Sequence, residues 1–284
     1  MIQLSCLRTL AKNTPTFLVS LFLLLVFNLQ PQQSTAQDSM HFYSVTYIKL
    51  KDPSYANQYE SLLKYYGKKA AEYELESKKI TGYYALQVIV PSGSSNEYDY
   101  EVVVNSDDIN VLLDDSTPIL KNAFPGMTDE IVKSVADQFS KVRKIVKTEI
   151  YSNVDAVPPT TDPKYVEVDY MKPASGKYSD YLKSESTTWK PVHKERIKLG
   201  ALSGWQIDAK MLPIGEKEDY DIVTVNFFNS LPMMMEGKYQ EAFKTVWPKL
   251  NYDKVGTDIS NLRTIVKSDL LKPLVAVNAE TMKK

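Results

Sequence analysis

Polar and aromatic residues with chemically useful side chains follow one another at helical spacing in the second half of the chain. Glu185, Trp189 and His193 are four residues apart, and Arg196 follows His193 by three. Residues three and four apart are neighbours on a helix surface, so these side chains should form one stripe. A carboxylate, an indole, an imidazole and a guanidinium can orient a polar aromatic ligand, and an imidazole can act as a general base near neutral pH.

Trp205 and Tyr220 lie on strands predicted to follow this helix, where they can supply the wall of a pocket. The predicted ligand-binding residues are therefore Glu185, Trp189, His193, Arg196, Trp205 and Tyr220, with His193 as the catalytic residue if the protein is an enzyme. The competing interpretation makes Trp189 a core residue and the polar residues a solvated helix flank. Pro191 either bends the helix or begins a new helical segment.

The first half of the chain does not contain this stripe. The positions 122 residues earlier hold Leu63, Gly67, Ala71 and Glu74. Two interpretations fit this difference. Either the second half carries a binding site and the first half is its structural partner, or the stripe has no function.

Positions 122 residues apart can be compared because the sequence contains an internal repeat. The segment 142–150 (VRKIVKTEI) returns as 262–270 (LRTIVKSDL), and Ile80-Thr81-Gly82-Tyr83 returns as Leu202-Ser203-Gly204-Trp205. Two shorter matches, at 98–100 with 220–222 and at 124–125 with 247–248, keep the same order and nearly the same spacing. Self-similarity of this kind predicts two copies of one structural unit.

Each copy shows the same order of predicted elements. An alternating strand (42–50 or 165–171) precedes an amphipathic helix, two strands, a second helix and a closing strand. This order, β-α-β-β-α-β, is that of a ferredoxin-like unit. We predict an α+β fold in which two tandem units (37–157 and 165–284) pair as one pseudo-dimeric α/β barrel. The segment from Asn153 to Lys164, with its prolines concentrated in 158–164, is predicted to be a linker.

The stretch Tyr181-Leu182…Glu185…Trp189-Lys190-Pro191-Val192-His193…Arg196-Ile197…Gly200…Gly204-Trp205, followed by Tyr220-Asp221, resembles that of uncharacterised exported bacterial proteins. Their organisation is similar to the dimeric α/β-barrel superfamily, which includes NIPSNAP-like proteins, antibiotic-biosynthesis-type monooxygenases, EthD-like proteins and chlorite-dismutase-like haem proteins. The resemblance implies a barrel with a pocket between sheet and helices. It does not imply one chemistry, because one fold can host several activities.

The N-terminus has the features of a cleavable signal peptide. Arg8 and Lys12 precede an apolar run, Phe17 to Phe27, and small residues end at Ala36. The run is shorter than the roughly 20 residues that a spanning helix needs. We therefore expect residues 1–36 to be removed and the protein to be exported to the periplasm or the medium, without stable membrane insertion.

Composition narrows the chemistry further. The single cysteine, Cys6, lies inside the predicted signal peptide, which excludes thiol catalysis, zinc–thiolate sites and iron–sulfur clusters from the mature protein. Residues 37–284 carry 32 basic and 35 acidic residues without long runs of one sign, which argues against a nucleic-acid partner. No cofactor or metal is predicted, and a haem would have to use His193 as its ligand.

The sequence thus favours an exported binding protein for a small hydrophobic or aromatic molecule, with its pocket in the second repeat. One alternative is a cofactor-independent monooxygenase or isomerase of the dimeric α/β-barrel type. The other is a non-catalytic structural or partner-binding protein whose barrel is filled by side chains.

Overall fold

The structure is a computed structural model, and it describes residues 41–91, 96–114 and 119–283. These residues belong to one compact unit, Met40–Lys284. The predicted signal peptide, 1–36, lies outside the described residues. Whether the chain divides into repeats at 158–164 stays a prediction.

Eight strands form the sheet within the described residues. They alternate inward and outward side chains, as the period of two in the sequence predicts. Their bounds are β1 Phe42–Leu50, β2 Gly82–Val90, β3 Tyr100–Ser106, β4 Arg143–Val157, β5 Tyr165–Pro173, β6 Gly204–Leu212, β7 Ile222–Phe228 and β8 Arg263–Asn278.

The helices lie between the strands at the predicted places, with some additions. They are α1 Ala56–Leu62, α2 Lys68–Glu76, α3 Ile109–Leu113, α4 Ile119–Ala123, α5 Asp129–Val142, α6 Tyr178–Ser184, α7 Lys190–Lys198, α8 Leu231–Glu236, α9 Tyr239–Val246 and α10 Tyr252–Ser260. A π turn, Leu63–Gly67, joins α1 to α2, and a second π turn, Glu185–Trp189, joins α6 to α7.

The mixed α/β fold with antiparallel strands is confirmed. The strand order β1-β3-β2-β8-β5-β7-β6-β4 closes on itself, because β4 pairs with β1. The two longest strands join the halves: β4 pairs with β6, and β8 pairs with β2. Each half therefore depends on a strand of the other to complete its hydrogen bonds.

One detail of the sequence interpretation is wrong. The predicted linker starts too early, since Asn153 to Val157 continue β4 and pair with β6. The remaining linker residues are held by backbone hydrogen bonds from Thr160 to Ser203 and from Lys164 to Phe228. Position 204 is glycine because a Cβ there would lie 2.6 Å from the backbone nitrogen of Pro159.

Three apolar clusters hold the fold. One fills the barrel and includes Tyr47, Tyr170 and Leu271. The other two lie between the outer face of the sheet and the helices, one in each half. The outer clusters are where the two halves can differ without disturbing the barrel.

Candidate functional site

The helix predicted to carry the polar stripe is interrupted where the stripe begins. Tyr178–Ser184 is α-helical, Glu185–Trp189 forms the π turn, and α7 continues from Lys190. Pro191 stands in the first turn of α7, where a missing backbone N–H is tolerated. A π turn inside a helix is frequent at functional sites. Here it supplies both Glu185 and Trp189.

This helix, β5 to β8, α9 and α10 border a partly open cleft of about 290 Å³ on the outer face of the sheet. Glu185, Trp189, His193 and Trp205 line it, as the sequence interpretation expects of pocket residues. All of them are buried, Trp189 being the most exposed at 8%. The cleft is also lined by residues that the sequence did not single out, among them Asp169, Thr224, Asn226, Tyr239, Tyr252 and Arg263.

Glu185 is the titratable group of this cleft with a pKa near neutrality. Burial raises the pKa of Glu185 to about 7, and the negative charge of Asp169 acts in the same direction. Tyr181 and Arg263 oppose this shift without cancelling it. Glu185 therefore exchanges a proton in the physiological range, which is the property required of a general acid or base.

Two further carboxyl groups, those of Glu167 and Asp169, lie on β5. Burial raises the pKa of Asp169, and burial together with Asp169 raises the pKa of Glu167 to about 7. Asn226 Nδ2 donates to Glu167 over 3.2 Å and to Asp169 over 3.4 Å. Asn226 Oδ1 and the Trp189 indole N–H are buried and find no hydrogen-bond partner among the described residues. Both are cleft-lining side chains that a ligand can satisfy.

His193 is held as a neutral hydrogen-bond donor. Arg196 Nη1 lies 3.2 Å from His193 Nδ1, and a guanidinium can only donate, so Nδ1 accepts and Nε2 carries the ring proton. Burial and the neighbouring Arg196 charge lower the pKa of His193 well below its ordinary value of 6.5. The imidazole also stacks on Trp205, with ring centroids 4.9 Å apart. The lone pair expected of a base is thus already engaged.

Arg196 supports the cleft from behind. It is 1% exposed, its Nε donates to Gly237 O over 2.7 Å, and its guanidinium lies 3.6 Å from the Tyr239 ring centroid. Such a planar cation stacks on an aromatic face while its N–H groups keep their acceptors. Arg196 therefore fixes both His193 and the tyrosine opposite.

The donor set does not fit a haem. An axial histidine needs a free lone pair on the nitrogen that faces the iron. At His193 one nitrogen accepts from Arg196 and the other carries the proton. Within the described residues no cluster of His, Cys, Asp or Glu has the geometry of a metal site.

Tyr220 lies elsewhere. Its ring is in the barrel cluster, and its hydroxyl donates to Glu149 over 2.6 Å. Tyr220 precedes β7 instead of lying on it as predicted, and strand alternation does not determine which side such a residue faces. Asp169 had a usable signal: Glu167 and Asp169 alternate with Val166 and Val168, which predicts that they face away from the barrel and towards the helix.

No helix in the described part of the chain is long and apolar enough to cross a membrane. No protein-family model matches the chain, and no curated protein matches it. Solved structures do match, at low sequence identity.

Two of these structures, each described as a "putative monooxygenase", share the fold. The protein from Fusobacterium nucleatum has a TM-score of 0.51 and 10% identity, covering 84% of this chain and 95% of its own. The protein from Lactobacillus acidophilus has a TM-score of 0.53 and 4% identity, covering 84% of this chain and 96% of its own. At these identities the likeness shows that the chain shares their fold, and no more.

A haem-binding protein from Thermus thermophilus is similar over 86% of this chain and 93% of its own, at 12% identity. Its TM-score of 0.46 is too low to carry an argument.

Proposed function

We propose that the protein binds a small, planar, uncharged ligand in the cleft between α7 and the sheet of the second half. The observation that carries this proposal is the pair of unpartnered groups on the cleft wall, the Trp189 N–H donor and the Asn226 Oδ1 acceptor. A buried polar atom without a partner costs about 1–3 kcal/mol, which a ligand recovers by bonding to it. Tyr239 and Tyr252 add aromatic walls.

The charges of the cleft favour a neutral ligand. Asp169 and Arg263 line it with opposite signs, and Glu185 has a pKa of about 7 and so is partly protonated at neutral pH. A ligand with a net charge would leave one of these groups uncompensated in a buried site. A ring carrying a hydroxyl or carbonyl group can bond to the same groups without that cost.

Tryptophan fluorescence can test this proposal directly, because Trp189 and Trp205 both line the cleft. The probes are 2-naphthol, 2-naphthoate and naphthalene, which share one ring system and differ in their polar group. We expect 2-naphthol to bind best and 2-naphthoate worst. Trp189→Phe, which removes the N–H and keeps an aromatic ring, should weaken 2-naphthol binding about tenfold, corresponding to about 1.4 kcal/mol.

The matched control is Trp247→Phe, which also removes one tryptophan but lies outside the cleft lining, with its N–H bonded to Thr188 O. Equal affinities of the two variants would contradict the proposed site. Absence of binding by all of the probes would favour the structural or partner-binding alternative.

A second candidate, a cofactor-independent monooxygenase or isomerase, is favoured by Glu185. A buried carboxyl group with a pKa of about 7 on the wall of this cleft can remove a proton from a bound enol or phenol at neutral pH. The two monooxygenase-like structures share the fold, which permits this chemistry without assigning it. Turnover of a bound probe should then disappear in Glu185→Gln and persist in His193→Gln. The reverse result would return the base to His193.

We further propose that the two halves are tandem ferredoxin-like repeats and that the protein is exported after loss of 1–36. The π turns Leu63–Gly67 and Glu185–Trp189 stand 122 residues apart and support the repeat. The order of basic, apolar and small residues supports export. The mass of the protein recovered from fractionated cells tests the cleavage at Ala36.

A further inference from the structure

The interior of the barrel, away from the cleft, contains a chain of polar side chains in contact. Its four members are Glu101 on β3, Tyr98 just before β3, Tyr170 on β5 and Asp269 on β8, all at most 3% exposed. The Glu101 carboxyl lies 3.1 Å from the Tyr170 hydroxyl, which lies 3.0 Å from the Tyr98 hydroxyl. Tyr98 in turn donates to Asp269. Buried oxygens are costly unless a hydrogen lies between each pair in contact.

The residues of this chain fix the number of hydrogens it contains. Three contacts between oxygens need three hydrogens, and Tyr98 and Tyr170 supply one each. The third hydrogen must therefore be carried by a carboxyl group at one end of the chain. Asp269 is the ionised end, because Lys267 Nζ lies 3.2 Å from its carboxylate. The third hydrogen then belongs to Glu101.

The surroundings of Glu101 lead to the same protonation state. Burial raises the pKa of Glu101 to about 8, and the negative charge of Asp269 acts in the same direction. Within the part of the chain that the structure describes, no lysine or arginine forms an ion pair with Glu101. The titratable groups that act on it come from four other strands: Tyr43 and Tyr47 on β1, Glu149 on β4, Tyr170 on β5, and Lys267 and Asp269 on β8.

The opposite side of the interior needs no such proton. Tyr151 and Tyr220 both donate to Glu149 over 2.6 Å, and the Tyr47 and Tyr151 hydroxyl oxygens are 3.4 Å apart. Three tyrosine hydrogens thus serve three contacts. The residue that corresponds to the protonated carboxyl, 122 positions later, is Val223. The additional hydrogen is therefore a feature of one side of the barrel.

We infer that the barrel holds one proton on Glu101 and that this proton is a pH-sensitive switch between the two halves of the chain. The bonds run from Glu101 to Tyr170, from Tyr170 to Tyr98 and from Tyr98 to Asp269, so each one crosses from one half to the other.

Loss of the proton to hydroxide rearranges this chain. The Tyr170 hydrogen must then turn to the Glu101 carboxylate, because that carboxylate can only accept. The Tyr98 and Tyr170 oxygens are left facing each other without a hydrogen, and a buried carboxylate is left without a paired cation. The contact between the halves should therefore loosen as the pH rises.

This loosening has a definite pH range. The unfolded chain releases the Glu101 proton near pH 4.5, whereas the folded protein keeps it up to about pH 8. The folded state binds one more proton between these values, so stability falls as pH rises through this interval and levels off above it. The folding equilibrium constant should decrease by about tenfold per pH unit on account of this group.

Glu101→Gln tests the switch, because a glutamine N–H can donate to Tyr170 at every pH. Urea unfolding of the full chain should show that the folding equilibrium constant of wild type, divided by that of Glu101→Gln, falls about tenfold per pH unit from about pH 6 to pH 8. Other buried carboxyls contribute equally to both proteins. Near-ultraviolet circular dichroism, which reports tyrosine packing, should change between about pH 7 and pH 9 in wild type more than in the variant.

Glu60→Gln is the matched control. Glu60 also accepts from a tyrosine, Tyr100, but it lies outside the barrel and pairs with Lys64. Its pH dependence should follow that of wild type.

Infrared difference spectra across the same pH range detect the proton itself. Wild type should lose a carboxylic acid band that Glu101→Gln lacks. Tyr170→Phe should shift this band, since Glu101 loses the oxygen to which it donates, and this variant keeps the test decisive if Glu101→Gln folds poorly. An equal response of wild type and Glu101→Gln to pH would overturn the switch. An acid band that depends on neither Glu101 nor Tyr170 would overturn it as well.

Discussion

The two halves of the molecule place the same elements around different contents. In the second half the space between helix and sheet holds the cleft, with Glu185, Trp189 and His193 on the helix side. In the first half the corresponding positions, 122 residues earlier, are occupied by Leu63, Gly67 and Ala71. Leu63 and Ala71 are buried in the outer apolar cluster of that half. The helix interruption is common to both, and only the side chains differ.

The sheet side differs in the same way. Asp169 pairs in register with Ser268 and Thr224 in the second half, and Thr46 pairs with Thr148 and Val102 in the first. Where the second half has the Asp169 carboxylate, the first half thus has the Thr46 hydroxyl. Where the second half has the Thr224 hydroxyl, the first half has a methyl group of Val102. Trp205 corresponds to Tyr83, which fills the space that Gly67 leaves.

This difference separates what the fold needs from what the cleft needs. The first half shows that the helix packs on the sheet with apolar residues alone. The buried carboxyls, His193 and Arg196 of the second half are therefore not required by the architecture, and they carry desolvation costs that an apolar core avoids. Each of the following changes tests this difference at one position of the cleft or of its counterpart in the first half.

The largest effect is expected from exchanging Glu185 for its first-half counterpart, Glu185→Leu. The folded protein retains the Glu185 proton up to about pH 7, whereas the unfolded chain releases it near 4.5. The folded state thus binds more protons in this interval, and its stability falls as pH rises until it levels off above pH 7. Glu185→Leu removes this loss, so its stability relative to wild type should increase by about 3 kcal/mol between pH 4.5 and pH 8.

Urea unfolding of both proteins at the two pH values measures this difference. The reciprocal control is Leu63→Glu, which places a carboxyl group in the apolar space of the first half, where Leu63 is 3% exposed. It should destabilise the protein more at pH 8 than at pH 4.5. If the wild type and Glu185→Leu respond equally to pH, Glu185 does not have the raised pKa on which the comparison depends.

The sequence was sufficient for much of the fold because strand alternation and the repeated VRKIVK-type segment are local patterns. β1 begins and ends at the predicted residues, Phe42 and Leu50. The pairing of β4 with β6 was missed, because Asn153 to Val157 precede two prolines and their polar residues suggested a linker. Which strand accepts them depends on contacts distant in sequence.

For the cleft, helical spacing was enough to group Glu185, Trp189 and His193. It was not enough to identify which nitrogen of His193 is protonated or to place Tyr220 inside the barrel. Those facts depend on the hydrogen bond from Arg196 and on the direction of a loop residue. Arg196 and His193 are three residues apart, so their contact was predictable in principle. That this contact occupies the His193 lone pair, which a general base needs, was not predictable from spacing.

A smaller change in stability, this time a decrease, is expected for Arg196→Met, which keeps the approximate side-chain length and removes the guanidinium. Gly237 O loses its 2.7 Å hydrogen bond, and His193 Nδ1 loses its donor. A buried group left without its partner costs about 1–3 kcal/mol, so we expect a decrease of about 2 kcal/mol in the free energy of unfolding. The pKa of His193 should rise towards its ordinary value, because the adjacent positive charge is gone.

Urea unfolding and histidine-ring NMR measure the two consequences. Glu74→Met is the matched control, since Glu74 holds the corresponding position in the first half and is partly exposed. It should change stability by no more than about 0.5 kcal/mol. Equal losses in the two variants would mean that Arg196 has no special role, and an unchanged His193 pKa would mean that burial alone depresses it.

The smallest effect tests how the first half closes its space. Gly67 lies in the π turn with ordinary helical dihedrals, and a Cβ there would stand 3.0 Å from the Tyr83 hydroxyl. Alanine is favoured over glycine in a helix by about 1 kcal/mol, so Gly67→Ala gains from the backbone and loses from this contact. We expect little net change for Gly67→Ala alone.

In a Tyr83→Phe background the contact atom is absent, and Gly67→Ala should then stabilise the protein by about 0.5–1 kcal/mol. The double-mutant cycle, measured by urea unfolding, isolates the coupling between the two positions. Absence of coupling would mean that a side chain at position 67 does not disturb the packing of Tyr83. The filling of the corresponding space in the first half would then depend on Leu63 and Ala71 rather than on the Gly67–Tyr83 contact.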